Sequence, residues 1–349
     1  MSTTLAQAGG VERAATNIGF MFEKGNYAEL SFGSVSPTVS GTSVSGVASG
    51  DMADSYMTYS LAVKTQLSDK LALGLLLDQP IGANVSYGAG TGYALAGSTA
   101  ELEASALTAL LKYQINDNFS VYGGPKIETV SGDVSLYNGL YKMSTSTETD
   151  TGFVVGGAYE KPEIALRVAL TYTSAITHSF GASETYFGRT GQTSFATEVP
   201  QSLALDFQSG VAKDTLVFGS VRWREWSAFD ISPTSYLGAA RINPTATPLV
   251  DYDHDIITYS IGVGRKFTEN WSGAITLGHE KSHGTQVGNL GPTDGYTSIG
   301  LGGSYTKSNM KISGGVTYAW IGDAKTKLLN SSFTDNHTVG VGVKVGFTF

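Results

Sequence analysis

The sequence predicts an all-β chain: a single 14-stranded antiparallel transmembrane β-barrel. Three observations carry that prediction. Apolar and polar residues alternate along nearly the whole chain, which is the two-residue period of a strand with one greasy face. Short turns alternate without exception with long polar loops, the asymmetry of outer-membrane barrels. The longest strongly apolar run, Leu71 to Leu77, is interrupted by Gly74 and falls far short of the ~18–20 residues that a membrane helix needs.

Composition agrees. Of 349 residues, 41% are hydrophobic and only 15% charged, and there are 44 glycines against nine prolines; a usual charged fraction is about 25%. A closed barrel of this length forms one domain. The chain has no cysteine, so neither disulfides nor thiolate metal sites are possible. A net charge of −8 argues against nucleic acid as a partner, because phosphate binding needs clustered Lys and Arg.

In chain order, residues 1–8 end in Ala6-Gln7-Ala8, an A-x-A signal-peptidase pattern followed by Gly9-Gly10, and are expected to be a residual signal-peptide segment. The barrel is expected over 26–349. Along it, Met57, Tyr59, Leu61 and Val63 share one face, as do Leu71, Leu73, Leu75 and Leu77. Val168, Leu170 and Tyr172 continue the rhythm, then Ile257, Tyr259, Ile261 and Val263. Val341, Val343, Val345 and Phe347 end it facing lipid, with Gly342, Lys344, Gly346 and Thr348 toward the lumen. Short turns are expected at Gln66–Asp69, Ile115–Asn118, Glu160–Glu163, Gly210–Asp214, Thr268–Asn270 and Thr306–Asn309. Between them lie long loops: Pro37–Gly50, Pro80–Ala100, Val134–Asp150, Ser179–Ala196, Asp230–His254, Lys281–Thr293 and Asp323–Asp335. Closure of such strands satisfies every backbone group in lipid. Aromatics near strand ends (Tyr27, Phe32, Tyr113, Phe119, Tyr159, Tyr172, Phe267, Trp271 and Tyr305) are expected to form interfacial girdles.

Several stretches carry a family resemblance. "SFGSVSPTVSGTS" (Ser31 to Ser43) resembles the first hairpin of the FadL-type outer-membrane transporters of long-chain fatty acids, a family (OMPP1/FadL/TodX) that includes aromatic-hydrocarbon channels. "AELEASALTALLKYQINDNFSVYGGPKIETVSGD" (Ala100 to Asp133) resembles their strand 4–turn–strand 5 unit. Thr151 to Ser183, with Tyr172 and Ser174, looks like the next hairpin, and Val199 to Asp230, with Trp226, Ser227 and Phe229, looks like strands 8 and 9. The resemblance runs from about residue 26 to the end. It implies a passive route for hydrophobic molecules: capture among extracellular loops, a pocket in the barrel, and exit through a gap in the wall. It also implies an N-terminal hatch and a kink in strand 3.

The chain departs from that pattern at the hatch, where only residues 9–25 precede the first strand and the family's Asn-Pro-Ala segment is missing. What remains, with its apolar tip Ile18 to Phe22, reads as a short N-terminal luminal plug, whose Phe20 and Phe22 are candidate ligand contacts. After Leu77, Pro80 cannot donate to a ladder and Gly82 weakens one, so pairing is expected to fail around Asp78, Gln79, Pro80 and Gly82. Unpaired wall is costly in lipid, which makes a lateral opening there the expectation of interest. Leu140, Tyr141, Phe180, Tyr186 and Phe187 give two long loops apolar surface for ligand capture. Parity turns Lys126, Glu128, Arg167, Arg222 and Arg224 inward, where a basic group could pair with a carboxylate.

Two motifs are set aside. "HEKSH" (His279 to His283) matches a zinc-protease signature but follows an alternating strand, which would hold the histidines about 13 Å apart instead of on one helix face. "DYDHDI" (Asp251 to Ile256) reads as a solvated acidic rim, although three Asp there could hold Ca²⁺. No catalytic residue, resident metal or cofactor is expected. The sequence reading is thus a monomeric passive transporter of the Gram-negative outer membrane, in contact with lipid and lipopolysaccharide. Its cargo is expected to be long-chain fatty acids, with an aromatic-hydrocarbon channel as the alternative and a barrel-borne hydrolase or an adhesin as the readings of another class. The final Phe349 looks like the signal read by the barrel-assembly machinery.

Overall fold

The chain is described by a computed structural model covering residues 11–14 and 16–349. The expected signal-peptide segment over 1–8, and Gly9-Gly10 with it, lies outside the described residues.

Among the described residues, fourteen antiparallel strands close a ring. They are β1 (Tyr27–Thr38), β2 (Tyr56–Ser68), β3 (Leu71–Asp78), β4 (Thr99–Gln114), β5 (Phe119–Leu136), β6 (Glu148–Lys161) and β7 (Leu166–Thr173). The second half is β8 (Ser202–Ala212), β9 (Thr215–Arg224), β10 (Ile256–Lys266), β11 (Trp271–Glu280), β12 (Tyr296–Lys307), β13 (Met310–Ile321) and β14 (His337–Thr348). Each pairs with its neighbours in sequence, and β14 returns to β1 in unbroken register from Tyr27↔Thr348 to Thr38↔His337. Closure removes the open edges that lipid would not tolerate.

The alternation sorts side chains as expected. Leu61, Leu75, Leu107, Leu170, Ile261, Leu301 and Val343 stand exposed on the outer face, the band that meets acyl chains. Their alternating neighbours, such as Ala62, Leu76, Ala106 and Ala169, are buried in the lumen. Three connections are tight two-residue turns, Asp69-Lys70, Lys213-Asp214 and Ser308-Asn309; in the last two, Asp214 and Ser308 take φ of 59° and 54°, the left-handed conformation that matches strand twist in short hairpins. At the same end, Phe119 packs on Tyr159 at 4.8 Å and Trp271 on Tyr305 at 4.9 Å, a girdle beside the short turns. Tyr27 departs from that role. It shares parity with Glu29, points into the lumen and donates its hydroxyl to the Glu29 carboxylate at 3.0 Å.

Two of the expected loops are strand. β5 runs on to Leu136, turns at 137–140 and returns as Tyr141–Thr145 in register with it. Ile176–Tyr186 and Arg189–Val199 form a hairpin that turns at Phe187-Gly188, with φ of 48° and 74°. Both segments alternate, but with Ser, Thr, Glu and Gly on one face, so they look polar on average while keeping the strand period. They raise one side of the wall above the rest, with Ala182↔Thr145 joining the two.

Candidate functional site

The lumen is filled in layers, set by which inward positions along each strand are apolar. At the periplasmic end, Gly19–Phe22 forms one 3₁₀ turn that buries Phe20 and Met21 together with Ile18. They pack on Leu76, Leu110, Tyr122, Val154, Ala158 and Ala169 from the surrounding strands. Gly74 makes this seat possible, since a Cβ there would strike Met21 Sδ and lie 2.8 Å from a Phe20 ring carbon. Phe22 sits between two cations, Lys112 Nζ at 4.3 Å and the Arg167 guanidinium at 4.5 Å from its ring centre. The Lys64 ammonium donates to the Glu23 carbonyl at 2.5 Å.

Above this plug lies a charged layer. Lys126 Nζ bonds Glu128 at 2.5 Å, and His178 faces Asp150 across 3.0 Å and Glu128 across 3.6 Å. Glu12, from the N-terminal segment, meets Arg222 at 2.7 Å and Arg224 at 3.7 Å. The charges of the wall are therefore neutralised by one another and by the plug segment. That is how buried ions are normally tolerated.

The third layer is an apolar cavity of about 180 Å³. Ile81, Val130, Phe180, Phe195, Val199 and Phe229 line it, with Val11 and Glu12 from the N-terminal segment. Phe180 and Phe195 are cross-strand partners whose rings lie 5.5 Å apart. A roof of loops covers the cavity. In it Tyr87 stacks on Tyr93 at 5.5 Å, Tyr93 donates to Ser331 at 2.7 Å, and Tyr141 donates to Glu184 at 2.7 Å.

Beside the cavity the wall is interrupted. β2 and β3 pair from Ser68↔Leu71 up to Leu61↔Leu77, where the ladder stops. The chain resumes as Gly82–Ser86 on the edge of β4, and among the described residues the isolated Ala53–Val85 bridge ties this segment back toward β2. In between, Gln79 Oε1 accepts from the Tyr59 amide at 3.1 Å. Pro80's carbonyl accepts from the Arg13 and Ala14 amides at 3.0 and 3.3 Å, and the Gly82 amide donates to Val11 at 2.8 Å. The N-terminal segment thus pairs with the edge that the kink exposes. Arg13 spans the break, its guanidinium 4.1 Å above the Tyr56 ring and hydrogen-bonded to Asn84, and it fills the space where Gly82 lacks a side chain.

Of the residues singled out from sequence, Phe180 lines the cavity. Lys126, Glu128, Arg222 and Arg224 lie in the charged layer, while Phe20, Phe22 and Arg167 belong to the plug level, where Arg167 also bonds Gln208 at 3.1 Å. Leu140 and Tyr141 are in the roof. Tyr186 and Phe187 pack on each other at 4.7 Å beside the hairpin tip, with Arg241 5.2 Å from the Phe187 ring. Asp78, Gln79, Pro80 and Gly82 border the break, Asp78 being buried at the last rung of β3. Sequence reasoning missed Glu12, His178 and Thr197. The parity of "ITHSF" could have revealed His178, which shares a face with Ile176 and Phe180; nothing local marks Glu12.

The set-aside motifs have structural partners. His279 is exposed and bonds Thr297 at 3.1 Å, while His283 stacks on His254 at 4.6 Å. Lys327 sits between Asp251 and Asp253 at 2.7 and 2.8 Å, and Asp255 accepts from Trp223 at 3.0 Å and Ser227 at 2.5 Å. An ammonium therefore occupies the place that a cation would take in this rim.

Three comparisons bear on these layers. A family model described as outer membrane protein transport protein (OMPP1/FadL/TodX) matches residues 27–342. No curated protein sequence matches the chain. Among solved structures, a Pseudomonas aeruginosa FadL homologue is similar with a TM-score of 0.76 at 15% identity, over 95% of this chain and 92% of that one. The Pseudomonas putida toluene transporter TodX is similar with 0.68 at 14% identity (94% and 91%), and the Ralstonia pickettii toluene transporter TbuX with 0.65 at 13% (94% and 90%). At such identities the likeness establishes the fold.

Proposed function

The chain belongs to the OMPP1/FadL/TodX family of outer membrane transport proteins, and from that premise we propose that it is a passive channel for hydrocarbons of monoaromatic size. The coarser statement stands on the family and the fold: it is an integral outer-membrane channel for hydrophobic molecules in a Gram-negative bacterium, and not an enzyme.

The cavity carries the finer reading. Its volume of about 180 Å³ resembles the ~150 Å³ engineered apolar cavity that binds benzene. Drug-sized molecules, and a long acyl chain with them, fill pockets of roughly 300–1,000 Å³. Charge points the same way. Among the described residues no lysine or arginine lines the cavity, and Lys126, Arg222 and Arg224 already face carboxylates of the chain. A fatty acid head group entering here would have to displace one of those partners. The solved toluene transporters with this fold support the same choice.

In this reading the roof captures ligand, the cavity holds it, and the break between β2 and Gly82–Ser86 is the exit into the membrane. Phe349, exposed after β14, serves recognition by the barrel-assembly machinery, and the outer band meets lipid and lipopolysaccharide around a monomer. Uptake of labelled toluene and of labelled oleate into cells lacking other such channels separates the candidates. Faster toluene entry with oleate entry at the level of the empty strain is expected. The opposite pattern would return the protein to fatty acid transport.

A further inference from the structure

One wall of the cavity is not apolar. Thr197 and His178 are cross-strand partners, and both line the cavity two rungs below the Phe180–Phe195 pair, on the same face. Thr197 is 6% exposed and its hydroxyl has no hydrogen-bond partner among the described residues. His178 is fully buried beside it, with Asp150 3.0 Å from one ring nitrogen and Glu128 3.6 Å from the other, and neither nitrogen has a hydrogen-bond partner among the described residues. Buried hydroxyls are nearly always bonded, and each exception calls for a reason. A plain hydrocarbon in this cavity would leave the Thr197 hydroxyl dry and unpaired.

Resting on the channel reading above, we infer that the preferred ligand is a monocyclic aromatic carrying one hydroxyl group, of the phenol or benzylic alcohol class. Its ring lies against Phe180 and Phe195, and its hydroxyl pairs with Thr197 Oγ1 on the His178 side. A hydroxyl suits this position because it both donates and accepts. It therefore satisfies Thr197 whichever way the threonine hydroxyl rotates, and whichever tautomer His178 adopts. A carboxylate does not suit it, because no lysine or arginine among the described residues lines the cavity and Lys126 below it is already bonded to Glu128, so an acid would be desolvated without a cation to pair with. The site is thus selective on both sides: a hydrocarbon forfeits the hydrogen bond, and an acid gives up its hydration without gaining a cation.

The test uses the purified full-length protein in detergent, with p-cresol and toluene as probes of nearly equal size. Affinities come from calorimetric titration, corrected for each probe's measured partition into the same detergent. The wild-type protein is expected to prefer p-cresol about tenfold, the net value of roughly one hydrogen bond. Thr197→Val keeps the β-branched shape and is expected to lower the p-cresol-to-toluene affinity ratio about tenfold, while Thr197→Ser restores it. A ratio unchanged by Thr197→Val overturns the inference and leaves the channel reading standing. Should the valine variant fail to fold, the wild-type ratio alone decides, and equal affinities or a preference for toluene overturn it. If neither probe binds the wild type, the channel reading beneath falls and this inference with it.

Discussion

Truncating both apolar side chains of the plug, Phe20→Ala with Met21→Ala, should unseat the N-terminal segment without harming the wall. Phe20 is 2% and Met21 0% exposed, and both are held by inward residues of the ring. Truncations of buried Phe and Met cost about 3–5 and 2–5 kcal/mol. Their sum, roughly 5–10 kcal/mol, is an upper bound because adjacent side chains share one cavity. Against it stand the Lys64 bond to the Glu23 carbonyl, the Glu12–Arg222 pair and the backbone bonds to Pro80, each worth about 1–3 kcal/mol. The apolar turn is thus the largest single anchor of the plug's lower half. The chain has no cysteine, so Ala158→Cys, buried at 5% exposure in the same cluster, supplies a lone reporter thiol. Reaction with a membrane-impermeant maleimide, in protein whose folded state is verified by heat-modifiable gel mobility, should accelerate by roughly 10²–10³ in the double variant if about 3–4 kcal/mol of that upper bound is realised, at tenfold per 1.4 kcal/mol. Equal labelling rates with and without the truncations would refute the argument that burial of this turn closes the periplasmic half.

The same geometry sets three further outcomes. Arg13→Ala removes the side chain that spans the wall break over Tyr56 and should raise toluene flux several-fold; uptake at the wild-type rate would exclude the break as the exit. Gly124→Val places a Cβ against the Ala109 carbonyl oxygen, which the β4–β5 ladder cannot move, so about 1–3 kcal/mol or more of barrel stability should be lost in urea titrations monitored by gel mobility. At the rim, burial alone would lower the Lys327 pKa, but Asp251 and Asp253 outweigh it and raise it above the usual 10.5. Because the folded pKa is the higher one, the stabilisation is complete below about 10.5 and fades as pH rises through the folded value. Protease resistance of the surrounding loops should therefore stay flat from neutral pH to about pH 10 and then fall, whereas Lys327→Ala should be sensitive throughout.

Much of the barrel was legible because a closed membrane sheet forces sequence and structure into the same period. Leu61, Leu75 and Val343 face lipid for the reason that made them readable: they alternate with residues that cannot. The hairpin Ile176–Val199 was harder, since its alternation lies above the membrane, where neither face needs to be greasy. Phe187-Gly188 supplies the left-handed turn without the Asn-Gly or Asp-Gly pair that announces one. Parity carried less information inside. It turns Lys126, Arg222 and Arg224 toward the lumen but says nothing about what stands opposite them, because an inward charge meets partners from distant strands or from the plug.

Glu12 is the sharpest case of that limit. It lies in a segment with no strand period, and it pairs with Arg222 across 210 positions of sequence. Parity alone offers that arginine to a ligand's carboxylate; the fold assigns it to the chain's own. The charged layer is then a floor under the cavity, and the polar groups left to address a ligand are the Thr197 hydroxyl and the His178 ring beside it, both without a hydrogen-bond partner among the described residues. Selectivity in such a channel is decided less by the number of charges lining the lumen than by which polar atoms the fold leaves without a partner.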